Sequence, residues 1–321
     1  MTAPPPKDPA FEAKRQEWIR CLAYKDPRTG EMDRNCVLAQ VYDLVWNAGV
    51  YRIVLEARRI AEKDERGRIK LHGPTHRLLD RCFYQSQLVS IRRLMDTYPL
   101  AGDKGVFSLK GLVLDMKKHR SMFTRQNLFA AFEQPLDVES VRKAMFDYLW
   151  ERERQGHHVS ELPVGCVPDF SDRLHKDVDA LCGVQPEARQ DDDMVLEAVF
   201  ENLEKKLDST RDICGHVNKF LAHAATPESR ARVDADSAKI TYEKLWHAHE
   251  TICRACQFID CFLLRQTNHS FLASYPGDLL RYADQPLAAG EAIDRLRECW
   301  TAYAKKTESW GEESLTWVMN G

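Results

Sequence analysis

No stretch of this 321-residue chain approaches the ~18 consecutive apolar residues of a membrane span. Nowhere do β-branched residues alternate with polar ones over the length of a strand, so no sheet is expected. Internal repeats, heptad arrays and low-complexity tracts are missing as well. The first residues, Met1-Thr-Ala-Pro-Pro-Pro-Lys-Asp-Pro9, are polar and proline-rich and lack the apolar core of a signal peptide. There is no Walker A loop, no GxGxxG after a strand, no HExxH and no GxSxG. The net charge is only −3, so any nucleic-acid binding has to use a local patch.

The ten cysteines form no framework. Most fall on apolar faces of predicted helices, as reduced core residues of a cytoplasmic protein do, and no disulfide is expected. Cys253-Arg-Ala-Cys256 has no second CxxC to close a zinc site. Cys256 instead belongs to a helical stripe with Leu245, His249, Ile252, Ile259 and Leu263. The spacings of His157, His158, Cys166, His175 and Cys182 match no standard zinc module. No metal and no cofactor are expected.

What is present is helical periodicity almost throughout, and the fold class it predicts is all-α. Residues 1–9 read as disordered or extended, and residues 10–321 as one domain. Predicted helices cover about 10–24, 33–63, 75–97, 109–119, 125–133, 137–154, 192–225, 236–267 and 288–307. Ser108 and Thr124 are good N-caps for the fourth and fifth. Asp191-Asp-Asp193 gives the 192–225 helix an acidic start. Residues 155–190 break the pattern with prolines and glycines and read as an irregular connection or insertion. One short amphipathic piece lies near 172–181.

The stretch 211–223 is the candidate site. At ~100° per residue, Asp212, His216, Lys219 and His223 form one stripe of a continuous helix. It borders an apolar stripe of Ile213, Val217, Phe220, Leu221 and Ala224. An imidazole titrates near neutrality and can take a proton from a 2′-OH or give one to a leaving oxygen. Arg211 can hold charge developing on phosphoryl oxygens, and Asp212 can set the tautomer of His216. Arg211 itself points roughly opposite the histidine stripe. Lys104, Lys110, Lys117, Lys118, Arg120 and Arg125, with Arg92 and Arg93, form a basic patch for phosphate contacts. The competing reading is a solvated face, with Arg92 paired to Asp96 one turn on.

Four motifs in order resemble the abortive-infection (AbiU2-like) branch of the HEPN superfamily. Gln85 to Asp96, with Ile91-Arg92-Arg93-Leu94, is similar to its "s-I-R-R-L-x-D" helix. Phe107 to Asp115 resembles its "v-S-L-x-x-L-l-x-D" helix, and Met122-Phe-Thr-Arg125 its "l-x-T-R" turn. Asn218-Lys219-Phe-Leu-Ala-His223 resembles its "N-K-x-x-A-H" run. The resemblance spans about residues 30–290, apart from 155–190. It implies an up-and-down helical bundle, often dimeric, that acts on RNA as a metal-independent endoribonuclease in phage defence or a toxin-like system. A protein antitoxin or defence partner is implied with it. In such enzymes an Arg and a His four to six residues apart meet across the dimer. Here position 217 is Val where an Arg would serve His223, and the pair with suitable spacing is Arg211 and His216. The candidate catalytic residues are thus Arg211, Asp212, His216 and His223, and Asn218 and Lys219 are candidates for nucleic-acid contact. The alternative is a non-catalytic helical module that binds a protein or nucleic acid.

Overall fold

A computed structural model describes residues 4–67, 69, 73–155, 167–221, 226, 240–265, 270–272, 280 and 291–320. Among these residues no strand forms, and β-type pairing is confined to isolated bridges such as Thr124 with Met194. The protein is an all-α bundle.

The N-terminal helix begins one residue earlier than expected. Pro9 tolerates a first-turn position because its missing N–H needs no partner there, and Asp8 caps the amide of Ala10 at 2.9 Å. This helix, α1 (Pro9–Ala23), precedes α2 (Val37–Ile60) and α3 (Gly73–Leu94). Ser108 and Thr124 cap α4 (Leu109–Lys118) and α5 (Arg125–Ala131), accepting from the amides of Gly111 and Asn127, both at 3.2 Å. Next come α6 (Val138–Arg154) and α7 (Pro168–Cys182). Part of the expected irregular connection is therefore a full helix. Leu174, Val178 and Leu181 of α7 are buried, and its left-handed C-cap is Gly183, with φ of 69°.

The predicted helix over 192–225 is a correction. Asp191–Asp193 do not start it: the side chain and backbone of Asp193 bind Arg125 instead. The run is divided into α8 (Glu197–Asp208), α9 (Arg211–His216) and a π turn at Val217–Leu221. A second π turn, Ile259–Leu263, closes α10 (Tyr242–Phe258), and α11 (Ala292–Glu312) and α12 (Ser314–Met319) follow. No sequence signal had marked α12.

Helices α2 and α11 pack along each other, as do α4 and α8, α2 and α3, and α10 and α11. Gly49 on α2 lets Trp300 and Tyr303 of α11 approach, since a Cβ there would lie 2.8 Å from the Trp300 ring. Trp18 of α1 is fully buried, stacks on Phe123 at 4.9 Å and donates its indole N–H to Asp115 of α4 at 2.7 Å. Arg15 donates to the carbonyl of Leu264 at 3.0 Å, tying α1 to the end of the second π turn. Helix α3 packs directly on α9, and α4 packs on α8, which precedes α9 in the chain.

Candidate functional site

Helix α9 exists as a separate element because Asp208-Ser209-Thr210 ends α8. Short polar side chains compete for the backbone and favour helix ends over interiors. Thr210 does so directly, its hydroxyl donating to the carbonyl of Leu207 at 2.8 Å. This was the signal that a purely periodic reading passed over. Ile213 and Val217 are buried and anchor the segment, as their positions in the apolar stripe required. Phe220 and Leu221 are half-buried, and Ala224 lies outside the described residues.

The π turn changes the register of the expected polar stripe. A π turn closes i→i+5 hydrogen bonds and places an extra residue in the turn. Stripe arithmetic at an α-helical repeat therefore ends at His216. That imidazole is half-buried and stacks on Phe220, with ring centroids 4.6 Å apart. Asp212 is exposed and makes no hydrogen bond to His216 among the described residues. Lys219 is half-buried on the turn. His223 lies outside the described residues.

Arg211 sits on the far side of α9. Its side chain is 78% exposed and lies 3.5 Å from Asp208. That carboxylate also holds Lys110 of α4 in a short ion pair. Five positions at the α-helical repeat turn Arg211 about 140° away from His216, so the two do not converge within one chain.

Another arginine is delivered to the π turn. Arg92 of α3 donates to Asn218 Oδ1 at 3.2 Å and to Asp96 at 3.2 Å. The expected pairing of Arg92 with Asp96 is thus present, and the same guanidinium also reaches residue 218. Arg93 donates to Asn35 Oδ1 at 3.2 Å, beside a cleft of about 300 Å³ walled by Asp96, Gly105, Val106 and Phe107. Between the two elements the Cys214 thiol is pushed up by burial, and nearby Arg92 and Lys110 pull it back. Lys110 was singled out from sequence as part of the basic patch, and Asn35 was not. Arg93 of α3 brings in Asn35, and the packing of α4 on α8 brings Lys110 to Asp208.

The rest of the basic patch is largely committed elsewhere. Lys117 pairs with Glu204 at 3.1 Å, which raises its pKa. Arg120 donates to the carbonyl of Val195 at 3.0 Å, and Lys118 is exposed. Arg125 is buried in an ion network with Asp179 and Asp193.

Comparison with family models, curated proteins and solved structures finds no match. Among the described residues, no three His, Cys, Asp or Glu side chains are placed to hold a metal ion. A separate cleft of about 760 Å³ is lined by Phe132, Phe170, Arg173, Asp177 and Arg265, among others. No histidine lines it, and burial raises the carboxyl of its Asp177 above the ordinary value.

Proposed function

We propose that this chain is a HEPN-like protein that binds RNA across α3 and the π turn after α9, and that His216 transfers protons in metal-independent cleavage there. The single observation that carries the reading is the meeting of Arg92 with Asn218, 126 positions apart in sequence. It joins two of the motifs on which the family resemblance rests. It also sets a guanidinium beside the turn that bears Lys219 and directly follows His216. In this reading Arg92, Arg93 and Lys219 hold phosphate oxygens and His216 accepts the 2′-hydroxyl proton. The 2′-oxygen bonds to phosphorus and the P–O5′ bond breaks. The leaving 5′-oxygen takes up a proton, and a 2′,3′-cyclic phosphate remains. Arg211 would serve the same chemistry from a second copy, because it faces away from His216 in its own chain. The biological setting implied by the resemblance is abortive infection or a toxin-like system with a protein partner.

The test is binding and cleavage of a labelled single-stranded RNA. Arg92→Gln should lower affinity about 3- to 10-fold and reduce the slope of log K against log salt by about one. His216→Ala should slow cleavage by ~10²–10⁴ while leaving binding intact. Unchanged affinity in Arg92→Gln would refute the interface. Mixing Arg211→Ala and His216→Ala protomers should restore about a quarter of the sites in re-equilibrated dimers. One observation favours a second reading, a non-catalytic RNA-binding module. Arg211 is engaged with Asp208 and sits apart from the imidazole. RNA bound with full affinity yet left intact at high protein concentration selects that reading.

A further inference from the structure

The cleft beside Arg93 is built from segments far apart in the chain. Asn35 comes from the residues before α2 and Arg93 from the last turn of α3. Asp96, Gly105, Val106 and Phe107 come from the loop that leads into α4. Hydrogen bonds tie its walls together. Gln40, buried on α2, donates its side-chain amide to the carbonyls of Asn35 at 2.7 Å and Phe107 at 3.2 Å. The Ser108 hydroxyl donates to the carbonyl of Asp96 at 2.8 Å, and the Val106 amide to that of Pro99 at 2.8 Å. The cleft is therefore fixed before anything enters it, and little freedom is lost on binding. At about 300 Å³ it stands at the small end of ligand clefts, a size for one flat ring system.

Val106 and Phe107 give the cleft an apolar wall. A base splayed out of a single strand is held by stacking on an aromatic side chain and by hydrogen bonds to its edges. The polar atoms of the cleft decide which base fits. Asn35 Oδ1 accepts from Arg93 at 3.2 Å, so Nδ2 is what its amide offers a ligand. Asp96 Oδ2 accepts from Arg92 at 3.2 Å, and Oδ1 from the Thr97 amide at 2.9 Å. A carboxylate has about four lone-pair sites, so each oxygen can accept again. A donor and a pair of acceptors are thus available to a ligand. Guanine has the complementary edge: O6 accepts, and N1–H and N2–H₂ donate. Adenine and cytosine put a donor against the Asn35 donor and an acceptor against Asp96. Uracil suits Asn35 through O4 and Asp96 through N3–H, but its O2 meets the second carboxylate oxygen.

We propose that this cleft reads a guanine of single-stranded RNA, with Asn35 Nδ2 donating to O6 and Asp96 accepting from N1–H and N2–H₂. Within the RNA reading, on which this rests, the cleft sets an order of preference: guanine first, uracil second, adenine and cytosine last. Arg92 joins the two places, because one guanidinium holds both Asp96 of the cleft and Asn218 of the π turn. Arg93 uses part of its fork on Asn35, and its remaining N–H groups serve the phosphate of the same nucleotide.

Fluorescence anisotropy of the full chain tests this, with short oligocytidylates that carry G, inosine, U, A or C at one central position. Binding is the readout, so the test does not require cleavage. The guanine oligonucleotide should bind at least ~10-fold more tightly than the adenine one. Inosine lacks the 2-amino group and should fall about 3- to 10-fold below guanine. Asn35→Asp is isosteric at an exposed position and still accepts from Arg93, but it sets an acceptor against O6. It should bring the ratio of guanine to adenine affinity to within about 2-fold of unity, with an unchanged melting temperature. Asp96→Asn should do the same by placing a donor against those of guanine. The ratio decides, because Asp96 also holds Arg92 and its loss weakens binding of every sequence. RNA bound equally tightly whichever base it carries, while Arg92→Gln still weakens it, overturns the guanine cleft and leaves the RNA reading standing. A guanine preference that survives both variants overturns the cleft as well. Failure of all these oligonucleotides to bind at protein concentrations up to ~100 µM overturns both.

Discussion

Two histidines sit where water does not reach. His249 in α10 is 2% exposed, and burial, with Arg52 nearby, lowers its pKa to about 3. His175 in α7 lies against Phe129 with the rings tilted and their centroids 4.5 Å apart, and burial, with Arg189 and Arg125 nearby, lowers its pKa to about 4. Both are neutral in the folded protein at pH 7. Their contribution to stability is complete above the unfolded value near 6.5, and it is lost as pH falls from there toward about 4 and 3. Asp260, in the second π turn, works in the opposite direction. Burial raises its carboxyl to about 7, so its contribution is complete below 3.8 and is lost as pH rises through about 7. Asp260→Asn should therefore leave stability nearly unchanged at pH 4 and raise it by about 1–3 kcal/mol at pH 8. In that background, urea unfolding should show a loss of about 2–3 kcal/mol between pH 7.5 and 5.5, as the two imidazoles take up protons in the unfolded chain and not in the folded one. Equal stability at those two pH values would sink the histidine assignment.

Elements are joined by one buried ion network. Arg125 at the start of α5 reaches Asp179 of α7 at 2.7 Å and Asp193 at 3.1 Å, and Arg189 closes on Asp179 at 2.5 Å. Burial pushes the Asp179 carboxyl up, but hydrogen bonds from Arg189 and Arg125 outweigh it and hold the pKa below its ordinary value. Breaking such a network costs more than its net worth, because a buried guanidinium loses its counter-charge. Asp179→Ala should destabilise the protein by about 3–5 kcal/mol, read as a drop in the urea midpoint. A change under about 1 kcal/mol would mean that Asp193 suffices for Arg125. Gly49→Ala probes the α2–α11 contact. The gain in helix propensity of up to ~1 kcal/mol is set against a Cβ driven into Trp300, and overpacking of about 1–3 kcal/mol should win. Thermal melting that rises in this variant would show that Trp300 gives way freely.

At the scale of the whole molecule, the core is one large cluster that runs from Phe11 to Val318, with a small satellite around Ile53, Ala57, Leu280 and Leu296. Cysteine is part of that core as a small apolar residue: Cys21, Cys36, Cys182, Cys253 and Cys256 are buried, and all nine described cysteines are free thiols. Cys166, the tenth, lies outside the described residues. Burial pushes Cys253 well above its ordinary value and Cys21 up to about 12, so thiolate chemistry is suppressed at both. Alkylation of the denatured chain should label ten cysteines with or without prior reduction, as intact mass will report. Fewer labels in the unreduced sample would reveal a disulfide.

The all-α class was legible in the sequence because helical periodicity and capping are local. Ser108 and Thr124 act as the caps their positions predicted, and Ile213 and Val217 are buried as their spacing required. Within the candidate site, the anchoring of 211–217 was legible, and its continuation as one straight stripe was not. The break at Asp208-Ser209-Thr210 is written in local polar side chains that a hydrophobic wheel does not score, and the π turn at Val217–Leu221 departs from the regular repeat that the wheel assumes. Arg211 and His216 have suitable spacing along the chain, yet α9 turns them to different sides. Tertiary packing alone decided that Arg92 meets Asn218 and that Asp208 meets Lys110. Contacts between residues about a hundred positions apart follow from helix crossings, and local sequence preference does not encode those crossings.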